Sequence, residues 1–188
     1  MTLIPVTAPA AEPLSRADAK AFLKVEHTDD DTLIDTLIVA ARLTVEAAIR
    51  RVLITQTWRL ALDGWPPGRI VEIALSPIAS IDTVTVYDAD GTPEVLSAAA
   101  YVTDVSSSPA RLLVRDTVSP GAAFNGIEID FTAGYGAASA VPAPLVQAIR
   151  QLVAHWYETR QPVAFGGASA VVPKTVDALI APYRALAL

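Results

Sequence analysis

The chain is 188 residues long, carries a formal net charge of −6 at pH 7 and is 52% hydrophobic, which suffices for one compact domain or for a core domain with a substantial insertion. Having no cysteine and only two histidines, His27 and His155, it offers no disulfide framework, thiolate metal site or cysteine nucleophile, and little for a zinc or iron centre. The acidic balance argues against wrapping nucleic acid through a basic surface, and every apolar run is broken by Asp, Arg, Gln or Pro before the roughly 18 residues of a membrane span.

Residues 1–14 carry Pro5, Pro9 and Pro13 among small residues and read as an extended arm without a core of its own. MTLIPVTAPAAEPLSR lacks a basic start and a continuous apolar core, so no export address is expected. A short helix is predicted over 15–24, with Ser15 and Asp18 in capping-box-like spacing and Phe22 and Leu23 as its apolar contacts. A long amphipathic helix follows over 29–52. Ile34, Ile38, Ala41, Val45, Ala48 and Val52 recur at three- and four-residue steps, so one face packs against something large. Thr28 or Asp29 can cap it, its acidic residues lie at the positive end of the dipole, and Arg50 and Arg51 lie at the negative end.

After Leu53 the period changes to two. A β-rich block is predicted over 54–132, with strands in ITQTWRLAL, RIVEIAL, SIDTVTVYD, YVTD, ARLLVR and GIEIDFT separated by turn compositions such as WPPG and DADGTP. Helix returns over 142–160, started by Pro142 or Pro144 and carrying Leu145, Ile149, Leu152 and Trp156 on its inner stripe. Residues 161–188 read as a flexible connector containing Gly166 and Gly167, then a last short helix interrupted at Pro182. The expected fold class is α+β, a helical core made from N- and C-terminal helices with the β block inserted between them.

Candidate chemistry is sparse. FTAGYG (131–136) invites a phosphate-loop reading, but AASAVPAP separates its glycines from the next helix and no GK[ST] occurs, so Gly134 and Gly136 read as a hinge from sheet to helix. His155 and Glu158 lie one turn apart with no third partner for acid–base work, which favours a capping or interface histidine. The Asp29–Asp31 run is explained by the helix dipole, and DADG (88–91) is a hairpin signal without the later acidic ligands of a calcium loop. No nucleophile elbow or zincin motif is present. Arg50, Arg51, Arg59 and Arg69 form no basic stripe, and Trp58 and Trp65 read as core and turn-packing aromatics.

Four segments together, LKVEHTDDDTLIDTLIVAARLTVEAAIRRVLITQTWRLALDGWP, IDFTAGYG, VPAPLVQAIRQLVAHWYETR and VPKTVDALIAPYRAL, resemble the head-tail connector, or adaptor, proteins of tailed bacteriophages and phage-derived gene transfer agents. The resemblance covers most of residues 20–186, with least likeness between about 70 and 124. It implies a structural, non-enzymatic protein without cofactor or metal. Such a protein assembles in the bacterial cytoplasm into a dodecameric ring at the head-tail interface of a virion or phage-like particle. Its implied partners are copies of itself, the portal protein, a tail-side stopper or head-completion protein, and DNA that passes through the channel without sequence-specific binding. On this basis residues 15–160 form a connector domain with Ile38, Val45, Trp156, Tyr157 and Arg160 as subunit-interface candidates. The tail after Val172 docks on the portal through Pro173, Leu179, Tyr183 and Arg184, with Gly166 and Gly167 as a second hinge. The alternative is a small soluble ligand-binding or hydrolytic domain without a recognisable motif.

Overall fold

A computed structural model describes residues 1–115, 118–159 and 173–185. Among them the chain folds as four α-helices and two antiparallel sheets, the α+β class that the order of periodicities predicts. It divides into two compact units. Unit 1 is Met1–Ala10 with Thr55–Tyr135, and unit 2 is Ala11–Ile54 with Gly136–Leu188.

Unit 1 contains every strand among the described residues. β1 (Thr2–Pro5), β2 (Gln56–Leu62), β4 (Ile78–Tyr87), β5 (Pro93–Val95) and β8 (Ile127–Ala133) make a five-stranded sheet in the order β1-β2-β8-β4-β5; β3 (Ile70–Ile73), β6 (Tyr101–Asp104) and β7 (Ala110–Val114) make a three-stranded sheet in the order β3-β7-β6. β8 lies centrally because its alternation is complete. Ile127, Ile129, Phe131 and Ala133 are all 0% exposed, while Glu128, Asp130 and Thr132 face the other side. Val71, Ile73, Leu112 and Val114 bury one face of the smaller sheet in the same way.

The polar face of the larger sheet is organised by Arg59. Its Nε and Nη2 donate to both Asp130 oxygens at 2.6 and 2.8 Å, and its Nη1 lies 2.8 Å from Glu128, which also accepts the Tyr87 hydroxyl at 2.8 Å. The hydrogen bonds to Asp130 raise the arginine pKa, and the bond to Glu128 raises that of Tyr87. Arg59 lies directly opposite Asp130 in the β2–β8 register, so the cluster is a set of cross-strand pairs that favours this register over a slipped one.

Two strands were not legible in the sequence. The expected arm is extended, but Thr2–Pro5 pair with β2 as an edge strand, and Val6 and Thr7 continue the docking by donating to the Thr57 carbonyl. Proline is tolerated there because an edge strand leaves one side of its ladder open. β5 follows the DADG hairpin, where the Asp88 carboxylate accepts the Asp90 and Thr92 backbone N–H groups at 2.9 and 2.8 Å; the bond from Thr92 leads in holding its pKa below the ordinary carboxylate value.

Unit 2 is helical: α1 (Arg16–Leu23), α2 (Asp31–Ile49), α3 (Ala143–Glu158) and α4 (Lys174–Ile180). Ser15 caps α1 by accepting the Asp18 N–H at 3.1 Å, as its spacing predicts. Phe22, expected as an apolar contact, is 46% exposed; Ala19 and Leu14 are the buried residues there. α2 packs on α3, and α4 packs on α3 and α2 through Val176 and Ile180. The end of the described tail closes on α2, with Ala185 N–H donating to the Ile49 carbonyl at 3.0 Å, which satisfies one of the acceptors that a helix leaves unpaired at its C-terminus.

Candidate functional site

The acidic start of α2 is more than dipole complementarity. Asp30 is the cap residue, yet its side chain caps nothing and instead accepts the Tyr157 hydroxyl from α3. Asp31 receives Lys20 Nζ at 2.5 Å and Arg16 Nη1 at 3.1 Å, and the bond from Lys20 leads in lowering its carboxyl pKa. Asp30 and Asp31 thereby tie α3 and α1 to the start of α2.

A second cluster closes the other end. Arg42 is 6% exposed; its Nε donates to Glu12 and its Nη1 to Glu46, both at 2.7 Å. The second oxygen of Glu46 accepts the Leu53 N–H at 2.8 Å. Burial pushes the Glu46 carboxyl above its ordinary value, against the Leu53 N–H and the Arg42 charge, which favour the ionised form.

The outer side of α2 is different in kind. Its exposed positions 32, 33, 36, 39, 43, 47 and 48 carry no charge, and Leu33, Val39 and Leu43 are 37%, 38% and 53% exposed. Thr36 and Thr44 turn their hydroxyls back onto the Thr32 and Ala40 carbonyls at 2.9 and 2.8 Å, so little polar character remains. From Leu33 to Ala47 this face runs about 21 Å. Asp35, on the flank of this face beside Val39, has a side chain 47% exposed that pairs with Arg16. That the exposed positions themselves carry no charge over this length is unusual on a solvated surface, where polar residues normally oppose the buried stripe.

The predicted site residues are distributed unevenly. Ile38 and Val45 are 2% and 1% exposed, and their side chains belong to the core of unit 2. In the single chain they present almost no surface to a neighbour. The helical period locates the buried stripe, and the second apolar face lies opposite it. Trp156 and Tyr157 are half-buried on α3. On the tail, Pro173, Leu179 and Tyr183 are half-buried and Arg184 is exposed, 3.0 Å from Asp177. Arg160, Gly166 and Gly167 lie outside the described residues. Gly134 and Gly136 have φ of 125° and 126°, a left-handed region that side chains disfavour, and unit 1 gives way to unit 2 between Tyr135 and Gly136.

In unit 2 a shallow groove of about 350 Å³ is bordered by Glu12, Leu14, Arg16, Asp35, Ile38 and Val39. Its polar groups are committed to one another: Arg16 lies 3.1 Å from Asp35, and Glu12 holds Arg42. Trp65 does pack a turn, with its indole N–H donating to the Val118 carbonyl at 2.8 Å.

The head completion protein family model matches residues 13–186. The chain belongs to the head completion protein family. It is therefore a head-tail structural protein, and the segments that carried the sequence resemblance fall inside the matched range. Three solved structures resemble this head completion protein over 100% of its length and 97% of theirs. One is the neck of an empty gene transfer agent (GTA) particle computed with C6 symmetry, at 29% identity and a TM-score of 0.81. The second is the virion of a native GTA particle, at 29% and 0.82. The third is the neck of a native GTA particle computed with C12 symmetry, at 30% and 0.78. A sequence search of curated proteins returns no match.

Proposed function

We propose that this head completion protein is a ring-forming adaptor at the head-tail interface of a phage-like particle. In this reading it is joined to the portal above and to a tail-side protein below, and it extends the channel through which DNA passes. It works by binding and shape, without catalysis. The observation that carries the reading is the uncharged outer face of α2, which has the length and composition of a helix that packs against protein. Likeness to particle-neck structures computed with C6 and C12 symmetry supports a closed cyclic assembly. A net charge of −6 suits a channel wall, since an acidic surface releases no phosphate counterions and lets DNA slide.

The interface role moves from Ile38 and Val45 to Leu33, Val39 and Leu43. Leu43→Asp places a charge at the most exposed of these, where water solvates it in the free subunit and an interface does not. The variant should stay folded, with an unchanged circular dichroism spectrum, and should form no rings in negative-stain images. Rings in the variant would overturn the reading.

Portal docking falls to the solvent side of the tail, because Val176 and Ile180 are committed to the subunit core. Leu179 and Arg184 are the residues to alter, and loss of the exposed Arg184–Asp177 pair costs the fold little. Leu179→Asp with Arg184→Glu should weaken attachment to portal-bearing particles by about tenfold or more, equivalent to about 1.4 kcal/mol. Co-sedimentation with those particles measures it, and undiminished attachment would remove the tail from the docking surface.

A further inference from the structure

A second exposed aliphatic surface lies on unit 1. In the three-stranded sheet Ile70 stands opposite Leu113, and Leu113 opposite Val102. Alternation sends these three to the outer face. Val71 and Leu112, next along their strands, are 2% and 0% exposed, whereas Ile70, Leu113 and Val102 are 46%, 39% and 41% exposed. The next outward-facing row is Glu72, Arg111 and Asp104, also in register. Arg111 Nη2 donates to Asp104 at 2.6 Å and is the leading cause of that carboxyl's low pKa, about 2. An apolar row bordered by a largely self-neutralised charged row has the anatomy of an interface core with its rim.

We infer that this row receives the outer face of α2 from the neighbouring copy of the same chain. The inference rests on the ring reading and deepens it. A closed ring of more than two copies uses a heterologous contact, in which each subunit offers two different surfaces, whereas α2 pairing with α2 is isologous and stops at a dimer. The α2 face therefore needs a different, uncharged surface on its neighbour. Among the described residues, α3 and α4 present no exposed large hydrophobic side chain, and Phe22, Val95 and Phe124 stand on separate elements. Met1, Ile4 and Val6 are exposed along the β1 edge, where Ile4 stands opposite Arg59, and Val105 stands alone after β6. Among the described residues the Ile70–Leu113–Val102 row is the one in which strand register aligns exposed aliphatic side chains on three adjacent strands.

The dimensions also agree. Three strands span about 10 Å from first to last, the length of about two helical turns. Val39 and Leu43 lie one turn apart on α2, with Ala40 and Ala47 beside them. Small side chains let the helix backbone approach a flat sheet face, so that Leu43 can seat among the three aliphatics.

The chain contains no cysteine, so introduced thiols are the only ones present. Full-length Leu43→Cys, full-length Leu113→Cys, their equimolar mixture and the double variant are treated with a short bismaleimide, and native mass spectrometry is run on the same untreated samples. The mixture should give covalent dimers, the double variant a ladder of higher oligomers, and each single variant neither. Self-linked Leu43→Cys would mean isologous α2 pairing and would overturn both this pairing and the ring. Ring-sized masses without the 43–113 link would overturn the pairing and leave the ring. Monomer masses throughout would remove the ring reading and the pairing with it.

Discussion

Arg42→Ala should destabilise unit 2 by about 3–5 kcal/mol, the usual cost of removing one partner from a buried ion pair. The magnitude follows from what is left behind. Arg42 and Glu46 side chains are 7% and 12% exposed, so the variant strands a carboxylate that water reaches poorly. Burial already raises the Glu46 carboxyl with the arginine present, and removing the positive charge raises it further. A carboxyl whose pKa is higher in the folded than in the unfolded state gives its full stabilisation below its ordinary value and loses it as pH rises through the folded value. The defect of Arg42→Ala should therefore be larger at pH 8 than at pH 5, read from urea unfolding at both. Adding Glu46→Gln, which keeps an acceptor for the Leu53 N–H without the charge, should recover much of the loss at pH 8. A cost below about 1 kcal/mol at pH 8 would mean that water reaches the cluster and that the pair behaves as a surface one.

This cluster also marks the boundary of what the sequence made legible. Elements set by local period were readable: the apolar stripe of α2, the alternation of β8, the Ser15 cap and the Asp-Gly hairpin each depend on neighbours a few residues apart. The pairs that lock the units were not. Arg42 meets Glu12 across 30 residues, Arg59 meets Asp130 across 71, and Tyr157 meets Asp30 across 127; no spacing rule selects such partners among many acids and bases. β1 was missed for the same reason. A proline-containing arm has no strand signature, and it becomes a strand because β2 offers an unpaired edge.

The site was half legible. The resemblance to connector proteins implied a ring, but helical periodicity shows only where apolar residues concentrate. α2 has Ile34, Ile38, Ala41, Val45 and Ile49 on one side and Leu33, Val39, Ala40, Leu43 and Ala47 on the other. Both sides are apolar. The packing of α3 and α4 decides which side is core, and those contacts lie about a hundred residues further along the chain. A buried stripe and a docking stripe on one helix differ only in what the remainder of the fold covers.

That difference sets the largest expected effect. Ile38→Asp should unfold unit 2, whereas Leu43→Asp, five residues away on the same helix, should leave it folded and abolish only assembly. Ile38 is 2% exposed. The substitution removes the transfer energy of a buried aliphatic side chain, which with its cavity term costs about 2–5 kcal/mol. It also inserts a carboxyl that must be desolvated or protonated. The sum approaches the whole stability of an ordinary domain, about 5–15 kcal/mol. Leu43 is 53% exposed, and surface changes of this kind stay within about 0.5 kcal/mol. Thermal unfolding followed by circular dichroism separates the two: loss of the cooperative helical transition in Ile38→Asp, and a transition close to that of the unaltered protein in Leu43→Asp. A folded Ile38→Asp subunit that fails only to assemble would return Ile38 to the interface and would mean that the core of unit 2 opens when subunits meet.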